Sequence, residues 1–409
     1  MDVRRAAPLR QTRRFEKKRE AILGAAATLF NQRGVKGATL ADVAQAVALI
    51  TNSVTYYYRK KEDLASACFL RTIDALNAII EQAGRADGSS ASVRELFRLY
   101  GLLLARIATG DHPDLVHFHD IRALYGPHAE MVFAAYTRMF RGARRLLHPR
   151  HGEGADRAKV NARAHVLVST LNAMGSWISR YETQDYPLVA DRVADILIEG
   201  MDGRGVRWAP PTLPEFSNSD DFEAPAEAFL RAATDLINEQ GYRGASVVKI
   251  SARLHVSKGS FYHYNDNKDD LVANCFTRSF DVIRRAQNAA AALDGDGWTK
   301  LTAAAAELVR YQLSGFGPLL RSTALSALPE SMRPELVQTM RRLGERYSHF
   351  IVEGEVDGSI RPVDQAIASQ LVSDMVNAAA ELRRWAPSAN ERTAPELFAR
   401  PLFLGLFAD

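Results

Sequence analysis

The chain has 409 residues, 47% of them hydrophobic and 24% charged, with a formal net charge of +4, which indicates a soluble globular protein of two or more domains. No stretch approaches the roughly 18 uncharged apolar residues that a membrane span needs, and the N-terminus lacks the apolar segment of a secretory signal. Cys68 and Cys275 are the only cysteines, which excludes a disulfide framework and is typical of a reducing cytoplasm.

The N-terminal segment is basic. Residues 9–64 carry eleven Lys or Arg against five Asp or Glu, a net charge of +6. A local excess of this size suits a surface that faces DNA phosphates, because each neutralised phosphate releases counterions. A solvated basic tail is the alternative. The arginines nearest the N-terminus are expected to form an arm along a minor groove: Arg4, Arg5, Arg10, Arg13 and Arg14.

The spacing of apolar residues predicts a first helix over residues 16–33, with Gly34 as its left-handed terminator. Thr39 begins a second helix, and Asp42 forms a near capping box with it. After a short turn comes a third, brief helix over residues 51–58, and then a long fourth helix. Two short helices braced by a first helix form a helix-turn-helix, whose second helix enters the major groove.

The polar and aromatic side chains of this third helix suit contacts with base edges, sugars and phosphates. Together with flanking residues they give the predicted DNA contacts of the first unit: Arg13, Arg14, Thr39, Thr51, Asn52, Ser53, Thr55, Tyr56, Tyr57 and Lys61.

The sequence then repeats at an offset of 207 residues, as from Gly34 to Gly241, and the register holds for about 55 residues. Identical pairs include Glu20 and Glu227, Asn31 and Asn238, and Arg71 and Arg278. The second copy supplies further predicted DNA contacts: Lys258, Gly259, Ser260, Tyr262, His263 and Lys268. Residues 216–271 carry six Lys or Arg against nine Asp or Glu, a net charge of −3, so we expect the first copy to be the main DNA reader.

Val256-Ser-Lys-Gly-Ser-Phe-Tyr-His-Tyr, followed by Lys268-Asp-Asp-Leu, resembles the signature G-V-S-x-G-x-x-Y-x-Y-F-x-x-K-x-x-L of the tetracycline-repressor (TetR) family. The first copy departs from it at Asn52 and Thr55, and the second at Asn265. The resemblance covers about 55 residues in each copy. It implies regulators that bind palindromic DNA as homodimers and hold a small organic effector among the helices that follow.

Abundant Ala and Leu and scarce strand-like runs favour an all-α chain of two tandem lobes. We predict a helix-turn-helix domain at 1–70, a helical effector or dimerisation domain at 71–208, a proline-containing linker at 209–219, a second helix-turn-helix domain at 220–278 and a second helical domain at 279–409.

Trp177 and Tyr181, four residues apart, are the ligand-binding candidates, with an interface or plain core packing as the alternatives. No metal site is predicted, because histidines two apart on a helix do not share a face: His112, His117, His119 and His128. No cofactor is expected. No catalytic motif is found, so the chain is not expected to be an enzyme.

The leading hypothesis is a cytoplasmic transcription regulator that occupies a double-stranded DNA operator until an effector changes the separation of the two reading helices. The lobes pair inside one chain as a pseudo-dimer, or two chains form a homodimer; the sequence leaves both open. The alternative is a ligand-sensing or protein-interaction module whose helix-turn-helix units no longer read DNA, which the acidic second copy favours and the basic first copy opposes.

Overall fold

The structure is a computed structural model of the chain. It describes residues 6–147, 156–213, 225–253 and 267–408. Within these ranges the regular structure is helical, apart from one isolated β-bridge between Asp202 and Ile360, and the predicted all-α class is confirmed. None of the described helices combines the length and the apolarity that crossing a membrane requires.

Lobe 1 places a three-helix unit before a longer helical bundle. Its helices are α1 (Ala6–Gly37), α2 (Leu40–Ala46), α3 (Thr51–Tyr57), α4 (Lys61–Ala83), α5 (Ser89–Ala108), α6 (Gly126–Leu147), α7 (Arg157–Trp177) and α8 (Tyr186–Glu199). A 3-10 turn, Phe118–Ala123, lies between α5 and α6. α4 joins the two parts of the lobe, because it packs on α1 as well as on α5 and α6.

The described part of lobe 2 has counterparts of α1, α2, α4, α5 and α6 in the same order; the segment that corresponds to α3 lies outside the described residues. Its helices are α9 (Pro225–Gly244), α10 (Val247–Arg253), α11 (Lys268–Ala291), α12 (Gly297–Leu313), α13 (Arg333–Asp357), α14 (Gln365–Ala378), α15 (Leu382–Trp385) and α16 (Arg400–Phe403). A 3-10 turn, Ser322–Ala327, takes the place of Phe118–Ala123, and a π-helical turn, Pro395–Ala399, leads into α16.

Glycines interrupt the first helix of each lobe at matching points. Gly34 in α1 and Gly241 in α9 both have a φ of 71°, a conformation that glycine adopts without the clash of a Cβ atom. The predicted helix termination at Gly34 is therefore confirmed. The chain turns at these glycines toward α2 and α10, which positions the second helix of each unit.

One hydrophobic core extends from lobe 1 into the helical domain of lobe 2, while the second helix-turn-helix unit has a core cluster of its own. α14 of lobe 2 packs on α7 and α8 of lobe 1. Trp385 stacks on Phe140 of lobe 1 with ring centroids 3.7 Å apart, and the Asn161 side chain donates to the Trp385 carbonyl at 2.8 Å. The ring of His165 likewise stacks on Phe398 at 5.0 Å. Burial of this aromatic surface contributes to the attraction between the lobes.

Contacts between the lobes occur in both directions. α1 of lobe 1 touches the turn Ser322–Ala327, and α9 of lobe 2 touches the turn Phe118–Ala123. Arg122 of that turn donates to the carbonyl of Asn238 in α9 and lies 3.0 Å from the carboxylate of Glu381. Reciprocal contacts of this kind are what an approximate two-fold axis produces, and through them each three-helix unit touches the opposite lobe.

The first part of the predicted linker is held by packing. Residues 209–213 have no regular secondary structure, yet Leu213 is only 1% exposed. Just before them, the Trp208 ring lies 5.4 Å from the Phe403 ring, and the indole nitrogen of Trp298 donates to the Arg207 carbonyl at 3.1 Å. The chain therefore leaves lobe 1 along the surface of lobe 2. Residues 214–219 lie outside the described residues.

Candidate nucleic-acid interface

A capping box begins α2. The Thr39 amide donates to Asp42 Oδ2 at 2.8 Å, and the Asp42 amide donates to Thr39 Oγ1 at 3.1 Å, as the sequence predicts. Hydrogen bonds from Thr39 hold the pKa of the Asp42 carboxyl below its ordinary value, because they stabilise the ionised form. The Thr39 hydroxyl, a predicted DNA contact, is therefore already engaged in the cap.

The anchoring of α3 decides which of its faces is open to solvent. Val54 is fully buried beneath the helix, and the Tyr58 amide closes its last turn on the Val54 carbonyl at 2.9 Å. Ala48, in the turn from α2, has a φ of 52°, which is unusual for a residue with a side chain. Tyr56, on the opposite face, is 76% exposed, and Ile50, which precedes the helix as its N-cap, is 70% exposed.

The six predicted contacts on α3 differ in exposure. Thr51, Asn52 and Tyr56 are exposed, whereas Ser53, Thr55 and Tyr57 are half-buried. The Thr55 hydroxyl donates to the Asn52 carbonyl at 3.1 Å, so it is partly satisfied within the helix. Thr51, Asn52 and Tyr56 therefore form the accessible face of α3.

An aromatic cluster fixes the N-terminal part of α1 against α3. The ring of Phe15 lies 4.7 Å from that of Tyr57 and 6.4 Å from that of Tyr56. Arg19 Nε donates to the Tyr58 hydroxyl at 3.2 Å. These contacts set the direction in which α1 carries its basic side chains past the exposed face of α3.

Exposed cations flank, along the chain, the residues that form that face and Phe15, which contacts it. Arg14, Lys17, Lys18, Arg59 and Lys60 are exposed, and their side chains make no ion pair with any residue that the structure describes. They leave their charge available to phosphates.

The expected minor-groove arm is corrected for residues 6–14, because α1 begins at Ala6. A helix is wider than the roughly 6 Å minor groove, so these residues do not form an extended arm. Arg4 and Arg5, and the side chains of Arg10 and Arg13, lie outside the described residues.

Lys61 and Lys268, both predicted DNA contacts, have internal partners. Lys61 Nζ donates to the Lys36 carbonyl at 3.2 Å. Lys268 Nζ donates to the Tyr242 carbonyl and lies 4.2 Å from the centre of the Tyr242 ring. Each lysine thus ties the start of the long fourth helix to the end of the first, which is a structural role that the motif did not reveal.

Two further basic side chains of the second unit also have internal partners. Arg253 contacts both carboxylate oxygens of Glu239 at 2.9 and 3.0 Å, and Lys249 Nζ donates to Gln240 Oε1 at 2.6 Å. Its predicted reading residues lie outside the described residues: Lys258, Gly259, Ser260, Tyr262 and His263.

Repeated residues join each helix-turn-helix unit to its helical domain. Asn31 Nδ2 donates to the Leu115 carbonyl at 2.9 Å, and its Oδ1 accepts from the His117 amide at 2.8 Å. Asn238 makes the same pair of bonds, to the Leu319 carbonyl at 2.9 Å and from the Arg321 amide at 3.1 Å. We call this pair of asparagines the Asn clamp.

A second repeated residue acts beside the Asn clamp. Arg71 lies 3.2 Å from Glu20 and also donates to the Asp114 carbonyl. Arg278 pairs with Glu227 in the same way, and it also donates to two backbone carbonyls of the 316–318 segment and to the Tyr311 hydroxyl at 2.7 Å. In the sequence, these identities indicate only a repeat.

Trp177, a predicted ligand residue, lies at the contact between the lobes. Its indole nitrogen donates to Asp374 Oδ2 in α14 at 2.9 Å, and burial raises the pKa of Asp374 to about 7. Tyr181 lies edge-on to Trp177, with ring centroids 6.4 Å apart. These contacts match the interface alternative, and ligand binding by the two residues stays a prediction.

The histidines of lobe 1 are dispersed. His128 Nε2 lies 2.8 Å from Asp63 Oδ1 in α4, while His112 Nδ1 lies 2.7 Å from the Pro113 carbonyl. Over the described ranges, no three His, Cys, Asp or Glu side chains gather as a metal site would require. The side chain of His119 lies outside the described residues.

Comparison with known proteins places both units in a recognised class. The family model described as "Bacterial regulatory proteins, tetR family" matches residues 22–68 and 229–275. The chain is similar to the transposon Tn10 TetC protein of Escherichia coli, with 31% identity over 64 residues, 16% of this chain and 32% of that protein. It therefore spans about a third of the length of this relative.

Two further similarities involve longer segments. The HTH-type transcriptional repressor DhaR of Mycobacterium sp. (strain GP1) is 28% identical over 158 residues, 36% of this chain and 74% of that protein. The solved structure of the TetR family transcriptional regulator PfmR from Thermus thermophilus covers 43% of this chain and 95% of its own, with 21% identity and a TM-score of 0.36. The two ranges matched by the family model coincide with the two copies of the repeat.

Proposed function

We propose that this chain, which belongs to the TetR family and carries two of its helix-turn-helix units, is a DNA-binding regulator that reads its operator mainly through the N-terminal unit. One observation carries the proposal: the exposed residues of α3 and the adjoining Phe15 are flanked in the chain by exposed cations that have no ion-pair partner among the described residues. Thr51, Asn52 and Tyr56 would meet base edges, and Arg14, Lys17 and their neighbours would meet phosphates.

We further propose that the lobes act as an intrachain pseudo-dimer, with the domain boundaries given by the sequence. The shared core and the reciprocal contacts of α1 and α9 with the opposite lobe support this arrangement. A single chain would then present two unequal units to two half-sites of an asymmetric operator.

Repression relieved by a small organic effector is the proposed mode of regulation, in the cytoplasm and without catalysis. The relative DhaR is named a transcriptional repressor. The Asn clamp supports a mechanical link, because a shift of the segment 115–117 in the helical domain must move Asn31 and with it the end of α1. An effector would act only by binding the two arrangements with different affinity.

The test is capture of fragmented genomic DNA by the purified full-length chain, followed by sequencing. The reading variant is Asn52→Ala/Tyr56→Ala, and the matched control in the second unit is Lys249→Ala/Arg253→Ala. Enriched sites that disappear only in the reading variant support the proposal. Sites lost equally in both variants would assign reading to both units.

An absence of enriched sites in the wild type, with and without cell extract as a source of effector, would overturn the proposal. The sensing or interaction module would then be the better account. Circular dichroism of each variant separates loss of binding from loss of folding.

A further inference from the structure

Lobe 1 carries an open groove at the C-terminal end of α4, whereas α3 precedes the N-terminal end of that helix. It has a volume of about 660 Å³ and lies between α4, the start of α5 and α6. Its wall is apolar at Ile80 and Leu146 and polar at Asn77. A groove of this size accommodates a small molecule with both apolar and polar parts.

The start of α5 borders this groove without a side-chain cap. Its N-cap is Gly88, which has a φ of 94° and would have open space within 4 Å of a Cβ atom. The first amides of a helix lack intrahelical acceptors and carry partial positive charge, so they favour an anion. Ser92 also lines the groove: it is only 5% exposed, and its hydroxyl has no hydrogen-bond partner among the described residues.

Two arginines of α6 border the same groove. Arg138 and Arg145 are seven residues apart, so they lie on one face of the helix. Both are exposed and form no ion pair within the described ranges. The acidic residue at the groove, Glu81, pairs with Arg85 at 3.3 Å. The groove therefore combines uncommitted positive charge with a free hydroxyl.

In lobe 2 the corresponding helix, α12, has acidic side chains at its N-terminus. There the start of α12 is capped by Asp296, and Asp357 Oδ2 accepts from the Gly297 amide at 2.9 Å. The Ser359 hydroxyl accepts from the Trp298 amide at 3.1 Å. Carboxylates of the chain itself thus occupy the position that the described residues of lobe 1 leave open.

We propose that the groove of lobe 1 binds a small organic anion, a carboxylate or phosphate with an apolar portion. The anionic group accepts from the first amides of α5 and from the Ser92 hydroxyl, and Arg138 and Arg145 balance its charge. The apolar portion lies along Ile80 and Leu146. This proposal stands whether or not the chain reads DNA.

Titration calorimetry with octanoate and with octyl phosphate tests the site, with 1-octanol as the uncharged match. We expect saturable binding of at least one anion, no binding of octanol, and a Kd at least tenfold weaker in Arg138→Gln/Arg145→Gln. Arg341→Gln/Arg342→Gln, at exposed arginines of the corresponding helix α13, should bind as the wild type does. The two anions distinguish a carboxylate site from a phosphate site.

A second variant supplies the missing carboxylate. Ser90→Asp places a carboxylate near the first amides of α5, where α12 has the N-cap Asp296 and Asp357 from the end of α13. The variant should therefore raise the melting temperature without ligand and abolish anion binding. The proposal is overturned if neither anion binds the wild type saturably, or if the α13 control loses as much affinity as the α6 variant.

Discussion

The two helix-turn-helix units have the same internal framework and different surfaces. In both, a glycine interrupts the first helix, and an asparagine forms hydrogen bonds with the backbone of the segment before the 3-10 turn. In both, an arginine of the long fourth helix forms an ion pair with a glutamate of the first helix. Five exposed cations of the first unit make no ion pair with described residues: Arg14, Lys17, Lys18, Arg59 and Lys60. Lys249 and Arg253 of the second unit are bonded within that unit. Both units have therefore kept the connection to the helical domain, but they differ in how their described basic side chains are paired.

The largest effect should come from the ion pair of Arg278 with Glu227 in lobe 2. Arg278 is 6% exposed and Arg278→Ala would leave Glu227 without its partner, which we expect to cost about 3–5 kcal/mol of stability. Arg71→Ala, at the more exposed pair with Glu20, should cost about 1 kcal/mol. Denaturant unfolding of both variants measures the difference. Equal losses of stability would show that the two arginine–glutamate pairs contribute equally.

The second-largest effect should be on DNA affinity, and only substitutions in the first unit should produce it. Arg14→Ala/Lys17→Ala/Lys18→Ala would remove three of the proposed phosphate contacts. The slope of log K against log salt should then fall by about 3, and the affinity near 0.15 M salt by about 100-fold. Fluorescence anisotropy on a captured site measures both. Lys249→Ala/Arg253→Ala should change neither by more than about twofold, and a comparable loss there would contradict the contrast between the units.

The junction between the lobes should be pH-sensitive because of one carboxyl. The Asp374 carboxyl is half-buried and accepts from Trp177 and from Gln370 at 2.9 Å each. Desolvation raises its pKa to about 7. When Val168-Ser169 is aligned with Val372-Ser373, the matching residue of lobe 1 is Thr170. The junction therefore differs between the lobes by an ionisable group.

A raised pKa means that the folded chain holds a proton which the unfolded chain has released above pH 4. The Asp374 contribution to stability should thus fall as pH rises from about 4 to 7, by at most 1.4 kcal/mol per unit, and level off above the folded pKa. Asp374→Asn should remove this slope and gain about 1–2 kcal/mol over the wild type at pH 8. Melting temperatures of both proteins from pH 5 to 8 provide the check, and parallel curves would exclude the carboxyl as the cause.

The smallest effect concerns the turn of the first unit. Ala48 has a φ of 52°, so Ala48→Gly should relieve backbone strain and stabilise the chain by about 0.5–1 kcal/mol. Ala41→Gly, in the exposed first turn of α2, should destabilise it by a similar amount. Thermal unfolding of the two variants tests the opposite signs; a loss at both positions would mean that the turn is unstrained.

Local features were predictable from the sequence. The capping box of Thr39 and Asp42, the break at Gly34 and the brief helix from Thr51 all depend on neighbouring residues. The all-α class and the two units followed from periodicity and from the repeat. These are short-range properties, for which residue type and spacing suffice.

Long-range partners were not predictable from one sequence. Lys61 looked like a phosphate contact, because nothing in the motif shows that the Lys36 carbonyl lies within reach. Trp177 was a ligand candidate because the sequence could not show its actual hydrogen-bond partner. That partner, Asp374, is 197 residues away. The Asn clamp was visible as the identity of Asn31 and Asn238, but its role required knowing which segments pack beside α1 and α9.

The shared core of the two lobes has a consequence for abundance and for divergence. Subunits that meet by diffusion separate on dilution, whereas lobes on one chain keep a fixed mutual concentration, so their pairing should be independent of how many copies a cell makes. In a symmetric assembly of identical subunits every mutation appears twice. In this chain a substitution changes only one of the two lobes. One lobe can therefore diverge in sequence while the other keeps its ancestral function.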